Sequence, residues 1–251
     1  MKDLITILEE FGKQRNVMSK SPDWNENKVA ECFEPYARKI LCEGFFLVNG
    51  QFIIDLGSIE LYYHEEEGSI KDYIMYHTNA KRSHSLFCYD NGKFPYFDLG
   101  SFNFHQSGID VTFENEDERY RASFLIRSYR LLKKESELKT DSIFDAHSTH
   151  IYDDMFPYGI SFDSAKRTTI EWVQHKGNDF TLGAPLTRKN VAVYLQPDKK
   201  DNRVWNGERI ISEADYIANR DKYIKVDKNH YYRQDPRQWR FVRSGITEKW
   251  N

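Results

Sequence analysis

Residues 44–64, GFFLVNGQFIIDLGSIELYYH, constrain the fold more than any other stretch. Two runs rich in Phe, Ile, Val and Leu flank Asn49-Gly50, a dipeptide suited to the positive backbone angles of a type I′ turn. The run therefore reads as a β-hairpin whose second strand ends in Ser58-Ile59-Glu60-Leu61-Tyr62-Tyr63-His64. Side chains alternate along a strand, so Ser58, Glu60, Tyr62 and His64 share one face, and Ile59, Leu61 and Tyr63 the other. A carboxylate beside an aromatic ring and an imidazole has the makings of an active site. The same pattern also suits a solvated strand face.

The chain has 251 residues, 39% hydrophobic and 15% aromatic, enough for one substantial core. A net charge of −3 gives no global attraction to nucleic acid, so any such binding needs a local basic patch. Cys32, Cys42 and Cys88 lie far apart, which suits reduced, semi-buried thiols of a cytoplasmic protein better than a metal knuckle or a disulfide framework. The N-terminal segment lacks a signal peptide's apolar run, and no apolar stretch is long enough to cross a bilayer.

Leu4, Ile5, Leu8 and Phe11 recur at helical spacing and predict an amphipathic helix over residues 3–18, followed by a polar connector ending at Trp24. A second helix is expected over residues 27–41, with Val29, Cys32, Phe33, Tyr36, Ala37 and Ile40 inward and Pro35 bending or splitting it. After the hairpin, a short helix is expected near Lys71–Tyr76 and a turn at Asn91-Gly92. Strands are expected near residues 100–104, 109–113, 122–131, 168–173 and 191–195. In the second of these, Ile109, Val111 and Phe113 alternate with Asp110, Thr112 and Glu114. Residues 142–156 are expected to be helical, with His147 and His150 on one face, and a further helix opens at Ser212-Glu213-Ala214-Asp215. The histidine pair suits two metal ligands, but no third ligand is placed beside it by sequence, so no metal is assigned. Absence of a Gly-rich phosphate loop and of a Gly-x-Ser-x-Gly elbow argues against nucleotide-driven chemistry and the common hydrolase fold. With no repeat or low-complexity linker, residues 1–251 are expected to form one α+β domain with a curved antiparallel sheet flanked by helices.

The order of segments then becomes informative. Tyr36-Ala37-Arg38-Lys39-Ile40-Leu41 leads through two strands to Ile59-Glu60-Leu61-Tyr62. Phe102-Asn103-Phe104-His105-Gln106-Ser107-Gly108 precedes another strand. Phe124-Leu125-Ile126-Arg127 and Arg240-Phe241-Val242-Arg243-Ser244-Gly245 follow. In this order they resemble the alkyladenine (3-methyladenine) DNA glycosylase family, over roughly residues 36–130 and the last dozen, while 132–235 do not align. The resemblance implies a DNA-glycosylase-like hydrolase that cuts the N-glycosidic bond of damaged purines in base excision repair and needs no cofactor. Glu60 would activate water and Arg127 hold it. Tyr62 and Phe104 would sandwich the base. The pocket histidine would be His77, with His105 and His64 as competitors. The bland readings stay open: Phe104 as core, Tyr62 as sheet cover, Arg127 as a structural ion pair. From Asp221 to Asn251, eight Lys/Arg face four acids, so Arg237, Arg240 and Arg243 suit phosphate contacts or a solvated tail. Where the family carries a large side chain that wedges into the duplex, this chain has Ser107, too small to replace a displaced base. The rival readings are a non-catalytic nucleobase- or nucleic-acid-binding module on the same fold, and a small-molecule enzyme with histidine-bound metal.

Overall fold

The computed structural model describes residues 2–72, 75, 96–105, 108–136, 138, 143–144, 146–151, 154, 168–175, 180–188, 191–195, 210–211, 223–225, 230–233 and 237–249. His77, Cys88, Asn91-Gly92, Ser107 and the segment 212–215 lie outside them.

Two helices lead the chain, α1 (Lys2–Met18) and α2 (Glu26–Cys42). The Asn25 side chain caps α2 by accepting hydrogen bonds from the Asn27 and Lys28 amides. Pro35 neither splits nor ends α2. It lies on the exposed face, as does Glu31, whose carbonyl its missing N–H leaves over. β1 (Gly44–Val48) and β2 (Phe52–Glu65) form the expected hairpin, with positive φ at Asn49 (52°) and Gly50 (66°). β3 (Phe102–His105), β4 (Gly108–Thr112) and β5 (Tyr120–Lys133) follow. Residues 143–147 form two short strands, β6 (Ile143–Phe144) and β7 (Ala146–His147), and helical backbone begins only at Ser148, so the helix expected from residue 142 is absent there. Nor is the backbone helical at Lys71, Asp72 or Met75. The later strands are β8 (Ile170–Gln174), β9 (Val191–Leu195), β10 (Ile210–Ile211), β11 (Tyr223–Lys225), β12 (His230–Arg233), β13 (Arg240–Val242) and β14 (Thr247–Glu248).

The main sheet runs β3-β4-β5-β2-β1-β8, with β13 added to β2 and β7 to β5. Every pairing in it is antiparallel, and it curls into a half-barrel. This is an α+β architecture. β9–β12 form a second, four-stranded sheet, and β6 pairs with β14. β2 is the central strand. One edge pairs with β5 along nearly its whole length. The other is shared by β1 at residues 52–54 and β13 at 58–60, on either side of a β-bulge around Gly57.

One face of the sheet is apolar and takes α1 and α2. Ile59, Leu61, Phe124, Ile126, Val111 and Phe241 join Phe11, Phe33 and Ile40 there. Phe33 stacks on Phe113 with centroids 5.5 Å apart, and Phe11 meets Phe33, Phe113 and Tyr36 edge-on. Cys32 and Cys42 are free and buried in this layer. Burial pushes their thiols up to about 12 and about 11, so both stay protonated and inert.

The β1–β8 edge depends on a missing side chain. A Cβ at Gly44 would fall 2.2 Å from the Trp172 ring. Gly44→Ala therefore forces Trp172 off its seat, and urea denaturation should show a loss of about 1–3 kcal/mol. Unchanged stability would disprove this packing.

Candidate functional site

The other face of the sheet is polar, yet most of it is buried. Ser58, Glu60, Tyr62 and His64 lie on it, as their alternation predicts. Register extends the face across β5 with Ser123 opposite Tyr62 and Leu125 opposite Glu60. It then crosses β4 with Thr112 opposite Ser123 and Asp110 opposite Leu125. On the other side Arg240 is the partner of Glu60. Ser58, Glu60, Thr112 and Ser123 are fully buried, and Asp110, Arg127 and Arg240 nearly so. Polar groups are buried only where hydrogen bonds or opposite charges compensate for lost water, so this face has to be neutralised group by group.

At its centre the Glu60 carboxylate is held at both oxygens. The Arg127 guanidinium Nε lies 3.3 Å from Oε1, and the Tyr62 hydroxyl donates to Oε2 at 3.2 Å. The bulge makes this possible. Register shifts on either side of Ser58 leave Arg127 between the Ser58–Ser128 and Ile59–Ile126 pairs. Tyr62 is held in turn by Arg188, whose guanidinium lies 4.7 Å from its ring centroid and 5.1 Å from that of Trp239. Arg188 donates to Asp72 at 2.7 and 3.3 Å and to the Leu61 carbonyl at 3.2 Å. Burial, then the neighbouring Glu60 charge, pushes the Tyr62 phenol well above its ordinary range, so it remains a donor. His64 accepts a hydrogen bond at Nδ1 from the Asp72 amide. Its pKa is lowered by burial and by Lys71.

Glu60, Tyr62 and Arg127 thus converge. His105 joins the same face, its Nε2 3.2 Å from Asp110 Oδ2. Phe104 does not join. It pairs with Ile109 on the opposite face and is 52% exposed, so it and Tyr62 cannot be two walls of one slot. The expectation that Arg240 and Arg243 meet phosphates is also corrected. Both are 1% exposed. Arg240 is spent on Glu248, and Arg243 makes a two-pronged bond to Asp55 at 2.9 Å on both arms. Burial would raise the pKa of Glu248, but hydrogen bonds with Ser58 and Ser128 and the Arg240 charge outweigh it and lower the value. Arg237 pairs with Asp72 at 3.3 Å and lies over Trp239. Asp72, Arg188, Asp110 and Ser123 were not singled out by sequence. For Asp110 the alternating strand pattern was visible, but register was not. Among the described residues no group of three potential metal ligands gathers, and no helix is long and apolar enough to cross a membrane.

A cleft of about 480 Å³ opens elsewhere, lined by Arg15, Trp24, Glu65, Glu118 and Arg119 among others, and it excludes the Glu60 group. At its floor Arg15 donates to Tyr63 at 2.6 Å and to Glu65 at 3.0 Å, while Trp24 donates to Glu65 at 2.8 Å. Those groups are consumed in tying α1 to β2. Compared with known proteins, the chain matches no family model, no curated protein and no solved structure.

Glu114, at the end of the polar face, gives this burial a pH signature. Desolvation pushes it up to about 7 despite Arg121 at 3.2 Å. Folding therefore takes up a proton. The stability this adds is full below the ordinary glutamate range and is lost as pH rises through about 7. Melting temperatures at pH 5 and pH 8 should show native protein gaining on Glu114→Gln as pH falls. A constant gap would refute the assignment.

Proposed function

We propose that this chain is an N-glycosidic hydrolase related in fold to the methylpurine DNA glycosylases, acting on a damaged or alkylated purine in an unpaired strand or a free nucleoside. The observation that carries the reading is the Glu60 carboxylate fixed by Tyr62 and Arg127, three residues that the resemblance took from two separate segments. In the proposed reaction the C1′–N bond breaks with its electron pair leaving on the base, and the sugar becomes oxocarbenium-like. Water adds to C1′ and passes its proton to Glu60. A cationic alkylated purine departs neutral and needs no acid. The inward turn of Arg240 and Arg243 removes two expected phosphate contacts, and Ser107 offers no wedge, which favours unpaired substrates over duplex.

A second reading has its own observation. Glu60 is 0% exposed, which suits a nucleobase-binding module that does not turn over.

Base release from single-stranded oligonucleotides and nucleosides carrying alkylated purines separates the two. Native protein should release base, and Glu60→Gln, which keeps the size but not the charge, should be slower by about 100-fold or more. Equal rates for the two proteins would end the catalytic role. Thermal stabilisation by the same compounds without release would favour the binding module.

A further inference from the structure

Ser123 Oγ and Asp110 Oδ1, both on the polar face, are among the buried atoms with no hydrogen-bond partner among the described residues. Ser123 is 0% exposed and Asp110 4%. Leaving a buried polar atom unmatched costs about 1–3 kcal/mol, so two such atoms on adjacent strands call for a cause. Their positions supply one. Ser123 is the cross-strand partner of Tyr62, while Asp110 pairs with Leu125, itself opposite Glu60. The two are diagonal neighbours on adjacent strands, within reach of one small planar ligand. The other carboxylate oxygen of Asp110 lies 3.2 Å from His105 Nε2. Together they present one acceptor and one hydroxyl that can donate.

We infer that Asp110 and Ser123 are the specificity-determining pair of this site, recognising a purine edge that offers an N–H donor beside an acceptor. This rests on reading the face as a nucleobase pocket, with or without turnover. Asp110 Oδ1 accepts from the N–H of an amidine or lactam edge, of the kind adenine and hypoxanthine carry, and the Ser123 hydroxyl donates to the adjacent ring nitrogen or carbonyl. A purine with acceptors only turns a lone pair toward the carboxylate and is rejected. Both atoms are sealed, so binding has to displace the cover of this face. The turn at Ser148–His150 belongs to that cover: a Cβ on Gly108 would fall 2.9 Å from Ser148.

Calorimetric titration of the full chain with adenosine, inosine and purine riboside tests this. Native protein should bind the first two at least tenfold more tightly than purine riboside. In Asp110→Asn that ratio should fall to one or below, because an amide can turn its NH2 toward the ligand. Ser123→Ala should weaken adenosine and inosine about tenfold, while the ligand-free protein melts no lower than native. An unchanged ratio in Asp110→Asn, or a Ser123→Ala that loses stability and keeps affinity, would assign the two atoms to internal water and overturn the inference. Binding of none of the three nucleosides would overturn it together with the nucleobase reading. Base release that depends on Glu60 but shows no preference among purines would overturn this inference alone.

Discussion

Charge on a largely buried strand face sets the terms for this structure. β2 is covered on both sides, by helices on its apolar face and by the rest of the chain on its polar one. Each ionised group there is answered by another. Asp55 takes Arg243 and Arg130, Glu60 takes Arg127, Asp72 takes Arg188 and Arg237, and Glu248 takes Arg240. Such pairs gain little net stability over apolar packing, since desolvation cancels much of the attraction, but a broken pair is costly. A register that separates any of them leaves a buried charge unanswered.

The hairpin was legible because local rules decide it. Asn49-Gly50 fixes the turn, and alternation from Ser58 to His64 sorts the two faces. Helices α1 and α2 were legible from periodicity to within about two residues. Pro35 does not split α2, and its position on the exposed face is a tertiary fact that the sequence does not show. The stretch from 142 misled in another way: its first residues are claimed by ladder partners in β5 and β14, which propensity cannot see.

For the site, the residues named from segment order divide by register. Glu60, Tyr62 and Arg127 meet because a bulge lets β5 offer Arg127 beside Glu60. Phe104 fails by parity alone, since its cross-strand partner Ile109 belongs to the helix side. The C-terminal arginines show the limit of counting charge. An excess of four along the sequence says nothing about Asp55 and Asp72, which fold back to meet Arg243 and Arg237, or about which arginine Glu248 takes.

The reach of those pairings also bears on how the protein comes to be folded. Arg243 is 188 residues from Asp55, and Glu248 is 190 from Ser58. Closing loops of that length is entropically expensive and slow beside forming a hairpin. β1, β2 and β5 can assemble around their apolar side while the charged side is still hydrated. Until β13 docks, the far edge of β2 at Ser58–Glu60 has no strand beside it. During that interval the strand that carries the candidate carboxylate is an open edge beside unmatched charges. Those charges protect it, because a hydrated carboxylate on an unpaired edge discourages the strand addition that leads to aggregation. The same groups that must be neutralised in the finished fold thus act as gatekeepers while it is being made.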